Sequence, residues 1–225
     1  INNNGYDYVD LGLPSGTLWA TYNVGASKPS ESGLYFQWGD TQGYTKKQIG
    51  IEKGQKVFSW IDYNYSIIDT RDQIGTGKSN KTFSWTDFKY SIDDSNFTKY
   101  NKEGEVLELE DDAVHAHMGG DWHMPTPEQI MELIDNTTNE WVEQNGVKGR
   151  LFTSKKNASK SIFIPAAGDA WNSLVGGIGI YGGIWSSMLN EEYTYVVKYL
   201  FFDSVCANLG NDHHSDGLSI RGVIG

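Results

Sequence analysis

The sequence predicts an α+β domain of small antiparallel sheets, one or two helices and long loops. Three observations lead there. The apolar residues come in short runs broken by Gly, Asn and Asp, the pattern of strands joined by turns. The 225 residues include 26 glycines and are 13% aromatic, a composition that suits a turn-rich fold packed with rings. One segment alone carries a complete helix-start signal. A chain of this length can bury a core of its own. It reads as a single domain over residues 1–225, with an enlarged insert at about 41–112.

Taken in order, Tyr6–Leu13, Leu18–Val24 and Leu34–Trp38 read as strands or extended segments, with a short helix near Ala26–Ser32. The insert is polar and Gly-rich without a period, which favours excursions over the surface. Within it, Phe58–Ile67 recurs as Phe83–Ile92, but two copies are too few for a solenoid. A second helix is expected from Asp111 to about His117. The strongest helix follows. Thr126 can cap it, Pro127 suits the first helical position and Gln129 stands three residues after the cap. Ile130, Leu133 and Ile134 then form its apolar stripe. Leu151–Thr153 and Ser161–Pro165 read as a strand pair, and Tyr193–Phe202 with Leu218–Ile224 as closing strands.

Charge and composition exclude whole classes of partner. A net charge of -11 argues against nucleic acid and anionic membranes, which call for a basic face. No apolar run reaches the roughly eighteen residues needed to span a bilayer. Cys206 is the only cysteine, so no disulfide framework is available. The chain opens at Ile1 without an initiator Met and reads as a mature fragment of a longer precursor.

Candidate chemistry is sparse. His115 and His117, near Asp111, Asp112 and His123, are the most metal-like group. Residues two apart diverge on a helix or a strand, however, and nothing completes a zinc set. His213 and His214 beside Asp212 and Asp216 share that weakness. Glu103–Asp112 is acidic without the spacing of a calcium loop. Cys206 has no base arranged with it, no Gly-x-Ser-x-Gly elbow exists, and Gly75–Ser79 lacks the phosphate-loop spacing. Trp60, Trp85 and Trp171 could stack on sugar rings, although tryptophans in β-rich domains more often fill cores. The expectation is a protein with no catalytic residues, no metal and no cofactor.

The most informative stretch is Tyr193–Gly217. It mixes aromatics with small polar side chains, as recognition surfaces do. Almost every residue in it can be encoded by a codon of the form NNC, which excludes Lys, Glu, Gln, Met and Trp. Those five types make up 46 of the 225 residues, yet only Lys198 occurs among these 25. The deficit points to a surface built to vary.

Several ordered blocks also carry a resemblance: Tyr8–Ala20, Tyr35–Asp40, Gly119–Thr126, Ile164–Gly168, Trp185–Ser187 and Ser219–Val223. Over nearly the whole chain they resemble the FISUMP-type ("major paralogous domain") proteins of Bacteroidales-like bacteria. That family looks related to the C-type lectin fold of formylglycine-generating enzymes and of variable proteins from diversity-generating retroelements. His123 stands where the family has Arg, Gly222 where it has Pro, and Leu209 where an aromatic is usual. The enzyme relatives use paired cysteines, which one Cys cannot reproduce, so the activity does not carry over. The resemblance implies a C-type-lectin-like domain whose C-terminal strands display the recognition surface. It suggests a secreted or surface-displayed receptor or adhesin, such as an outer-membrane lipoprotein or envelope protein. The expected partner is a protein or glycan on another cell surface. A carbohydrate-binding lectin module and a structural adhesin-tip domain are the alternatives.

On this reading Trp122, Trp185 and Arg221 are structural, and Leu200, Phe202, Ser204 and Leu218 belong to the framework. Alternation sends Tyr199, Phe201 and Asp203 to the opposite face. A turn from Cys206 to Asp216 would add Cys206, Asn208, Asn211, Asp212, His213, His214 and Asp216 to the ligand-binding patch.

Overall fold

The computed structural model describes residues 2–49, 89–90, 97–171 and 174–225. Most of the insert, both copies of the internal repeat apart from Lys89 and Tyr90, the Gly75–Ser79 turn, Trp60 and Trp85 lie outside them, as does the side chain of Trp171. What is described is an α+β domain of small antiparallel sheets and few helices. Its twelve described strands form four sheets.

The first sheet joins the two ends of the chain. Strands β1 (Asn2–Asn3), β2 (Tyr6–Asp10), β3 (Leu18–Ala20) and β12 (Val223–Ile224) lie in that order. Val223 is paired with Trp19 and Ile224 with Leu18. The second sheet comprises β4 (Thr137–Gln144), β5 (Val147–Ser154) and β6 (Ser161–Pro165). The third places β10 (Val196–Asp203) between β9 (Tyr181–Leu189) and β11 (Ala207–His213). A two-stranded ribbon, β7 (Asp169–Trp171) with β8 (Leu174–Gly176), completes the set.

Helix α1 is a single turn, Lys46–Ile49, and α2 spans Ala113–Met118. The main helix, α3, runs over Pro127–Asn136 as its start signal predicts. Thr126 Oγ1 accepts the Gln129 N–H, and Gln129 Oε1 accepts the Thr126 N–H, closing a capping box. Ile130 and Leu133 face a core cluster with Leu11, Phe152, Leu200 and Phe202. Burying each contributes about 2 kcal/mol.

A second core cluster gathers Trp38, Trp122, Trp185, Val197 and Leu218. Trp122, Trp185 and Arg221 are fully buried, as expected of scaffold residues. Trp185 donates its indole N–H to Phe36 O at 2.8 Å and Trp38 to Ser186 O at 2.9 Å, so each large ring is fixed by a main-chain carbonyl. The Arg221 guanidinium donates to Asn23 Oδ1 and Phe163 O, tying three distant segments together.

Several expectations need correction. Ala26–Ser32 is a run of turns rather than a helix. The Ser27 N–H and hydroxyl both donate to Glu31 Oε2, while Gly25 and Gly33 on either side take left-handed φ values of 80° and 76°. Leu34–Trp38 forms only isolated bridges at Tyr35 and Phe36, and Leu218–Ile224 is a strand only at Val223–Ile224. β4 has no strand signal of its own in the sequence, because its Asn, Glu and Gln content masks the pattern. The Asn145-Gly146 pair that closes the β4–β5 hairpin, with φ of 54° and 76°, was the available signal. The expected turn from Cys206 to Asp216 is mostly strand β11, since Ala207 and Leu209 alternate inward and the seven-pair ladder with β10 overrides the poor strand propensity of Asn and Gly.

Candidate functional site

After a register shift between Val197, which is buried, and Tyr199, β10 sorts its side chains by alternation. Leu200 and Phe202 are fully buried, whereas Tyr199, Phe201 and Asp203 are each partly exposed. The cross-strand pairs Tyr199↔Gly210, Phe201↔Gly183, Phe201↔Asn208 and Asp203↔Tyr181 place these neighbours on the same side. Tyr199 packs edge-on against Trp185 at 5.8 Å, and Phe201 lies 6.2 Å from Tyr181. The Tyr199 ring also spreads over the flanking strands. A Cβ on Gly210 would come within 2.8 Å of it and one on Gly183 within 3.0 Å, so both positions require glycine or a displaced ring. The face is therefore aromatic at its centre, with Asn208 exposed beside Phe201, while Asn211, paired with Lys198, is exposed on the other side of β11.

The remaining predicted site residues fall in different places. Asp203 builds the hairpin turn: its carboxylate accepts the N–H groups of Val205 and Cys206 at 2.7 and 2.9 Å. Those bonds hold it below the usual carboxylate range. Arg150 donates to the Asp203 carbonyl at 2.8 Å from β5. Ser204, expected in the framework, is exposed in that turn, and Cys206 is half-buried beside Asn208. Asn211, Asp212 and His213 stand at the other end of the hairpin, where His213 stacks on Tyr195 at 5.4 Å. His214 is not on the patch at all. It is fully buried, edge-on to Phe97, because the chain dives into the core after β11, and burial pushes its pKa down to about 3.

Asp216 joins a group that no sequence spacing announces. Burial and the Asp212 carboxylate beside it push its carboxyl strongly upward, so Asp216 keeps a proton and donates it to Asp212. Asp169, from β7, adds negative charge to the pair and accepts the Tyr181 hydroxyl at 2.7 Å. Burial first, then these three carboxylates, raise the pKa of Tyr199, so its phenol stays a hydrogen-bond donor. A carboxyl–carboxylate pair can serve acid–base chemistry. Here the adjoining open groove is lined by Asp212 but not by Asp216.

The earlier histidine cluster disperses. Asp112 caps α2 by accepting the His115 N–H and also accepts the Met124 N–H. The His115 ring approaches Trp122 O, the His117 ring approaches Thr41 O, and Asp111 is engaged by Lys89 and Lys99. Among the described residues no three His, Cys, Asp or Glu side chains converge to hold a metal. No described helix is long and apolar enough to cross a membrane. Comparison with family models, with curated proteins and with solved structures finds no match to this chain.

Proposed function

We propose that this is a non-enzymatic ligand-binding protein of receptor or adhesin type, displayed at a cell surface. Its domain is C-type-lectin-like, and residues 193–217 are the part free to vary. The observation that carries this reading is the partition of β10 and β11. Leu200, Phe202, Ala207 and Leu209 pack into one core cluster, while Phe201 and Asn208 lie on the opposite side beside Tyr199, which is half-buried against Trp185 of the other cluster. A segment arranged in this way can change its outward residues without touching the scaffold. Half-buried rings supply contact area at low entropic cost, and the amides supply adjustable hydrogen bonds.

Panning a phage-displayed random peptide library against the wild type and Phe201→Ala tests this function. Peptides enriched on the wild type should lose most of their binding to Phe201→Ala, at about 2 kcal/mol for a true hot spot. Enrichment indifferent to Phe201→Ala, Tyr199→Leu and Asn208→Ala would place recognition elsewhere. A glycan array that responds where the peptide library does not would favour the lectin alternative.

A further inference from the structure

At the end of the hairpin remote from the Ser204–Val205 turn, the β9–β10 loop and the end of β11 border an open groove of ≈ 400 Å³. Two rings of this loop are unusually exposed, Tyr193 at 48% and Tyr195 at 37%. They are also held in place. Tyr193 lies 5.6 Å from Tyr195, which stacks on His213 with 18° between the planes. Asn190 pins the loop, donating to Asn211 Oδ1 and accepting the Glu192 N–H, both at 2.7 Å. The result is a preset aromatic shelf.

The charges on this groove are one-sided. Glu192 is exposed and Asp212 is half-buried, and among the described residues no Lys or Arg forms an ion pair with either. Lys198, on β10, is taken up by Glu191 at 3.2 Å. Burial pushes His213 down to about 4, so the stacked imidazole is neutral near pH 7. Among the described residues the groove thus offers aromatic faces, carboxylates and amides, and no Lys or Arg lines it.

We propose that this groove takes the guanidinium of an arginine side chain carried by a protein ligand. The proposal rests on the recognition reading above and adds the chemical class of the group that is bound. A planar guanidinium can lie against the tyrosine shelf while its N–H groups reach the exposed Glu192, with Asp212 adding negative charge beside it. A lysine ammonium supplies the charge without the plane. A neutral sugar can use the rings but leaves the Glu192 carboxylate unpaired, and an anionic ligand is repelled.

The test is a titration of the whole chain with N-acetyl-arginine amide, followed through backbone amide NMR signals. N-acetyl-citrulline amide serves as the uncharged isostere and a neutral oligosaccharide as the sugar arm. Saturable shifts confined to residues 190–196 and 211–213 are expected with the arginine compound alone. Tyr195→Ala and Glu192→Gln should each weaken them about fivefold. Glu192 is exposed, so its replacement keeps the experiment valid if Tyr195→Ala perturbs folding. An equal response to citrulline or to the oligosaccharide overturns the proposal. So do shifts scattered over the acidic surface and indifferent to Glu192→Gln. Absence of arginine binding, with peptide enrichment still lost in Phe201→Ala, removes only the guanidinium assignment. Absence of both removes the recognition reading as well.

Discussion

Asp111 and Asp216 are both carboxyl groups withdrawn from water, but Asp111 is surrounded by donors and Asp216 by other carboxylates. Asp111 receives Lys89 and Lys99 at 2.7 Å each and the hydroxyls of Tyr90 and Tyr100. Burial opposes its charge, yet these four donors together hold it well below the usual carboxylate range. Lys99 is shared further with Glu108 and Glu110, so the network clamps the end of the insert to the 3₁₀ turn at Leu109–Asp111. The Asp212–Asp216 pair, with Asp169 nearby, has no Lys or Arg partner among the described residues and relieves its repulsion by keeping a proton. A compensated carboxylate is a scaffold device. An uncompensated pair beside an open groove is strained in a way that a cationic ligand would relieve.

The largest expected effect comes from breaking the compensated side. Asp111→Asn removes a buried charge from between two lysines and should cost about 3 kcal/mol, or roughly 6–12 °C in Tm. Thermal denaturation at pH 7 measures it, and a loss below about 0.5 kcal/mol would show that the network only decorates the surface.

The next effect is a pair of opposite pH dependences. Asp111 has a lowered pKa, so its contribution is complete above the ordinary value of 3.8 and is lost as pH falls through its folded pKa. Asp216 is raised, so the folded chain retains a proton that the unfolded chain releases, and stability declines as pH rises above 3.8. His213, half-buried, and His214, fully buried, both have depressed values and add a further loss as pH falls below 6.5. Asp216→Asn should therefore flatten the alkaline limb of a Tm-versus-pH curve and raise stability at pH 8 by about 1 kcal/mol. Asp111→Asn should leave that limb unchanged. Identical alkaline limbs for wild type and Asp216→Asn would mean that the pair is already relieved by solvent.

Because the strain belongs to the pair, relief should not add. Asp212→Asn together with Asp216→Asn should stabilise no more than the better single variant, within about 0.5 kcal/mol. Full additivity in a double-mutant cycle would show two independent carboxyls.

Smallest is the effect of Glu192→Gln on stability, within about 0.5 kcal/mol, because that side chain is exposed. A clear change in Tm would make Glu192 part of the scaffold and remove it from the groove's chemistry.

Local interactions decided what could be read directly. Helix α3 was legible because Thr126, Pro127 and Gln129 act within one turn, and their hydrogen bonds need no partner from elsewhere. The inward roles of Leu200, Phe202, Trp185 and Arg221 were legible because burial follows hydrophobic periodicity and the position of large side chains in framework blocks. The residues of strand β11 predict a turn because Asn, Gly and Asp disfavour strands locally, and only the ladder with β10 makes them a strand. His214 looked like a surface residue among Asp and Ser, and its burial depends on a path into the core that spacing does not encode.

The sequence by itself therefore determined the α+β class, the capped helix and the alternation along β10, all set by interactions within a few residues. Tertiary structure alone decided that Asp169 meets Asp212 and Asp216, and that Tyr195 stacks on His213 across the β9–β10 loop. Both pairings join residues that are distant along the chain, and contact between them exists only after the sheets have packed and burial has changed how strongly their charges interact.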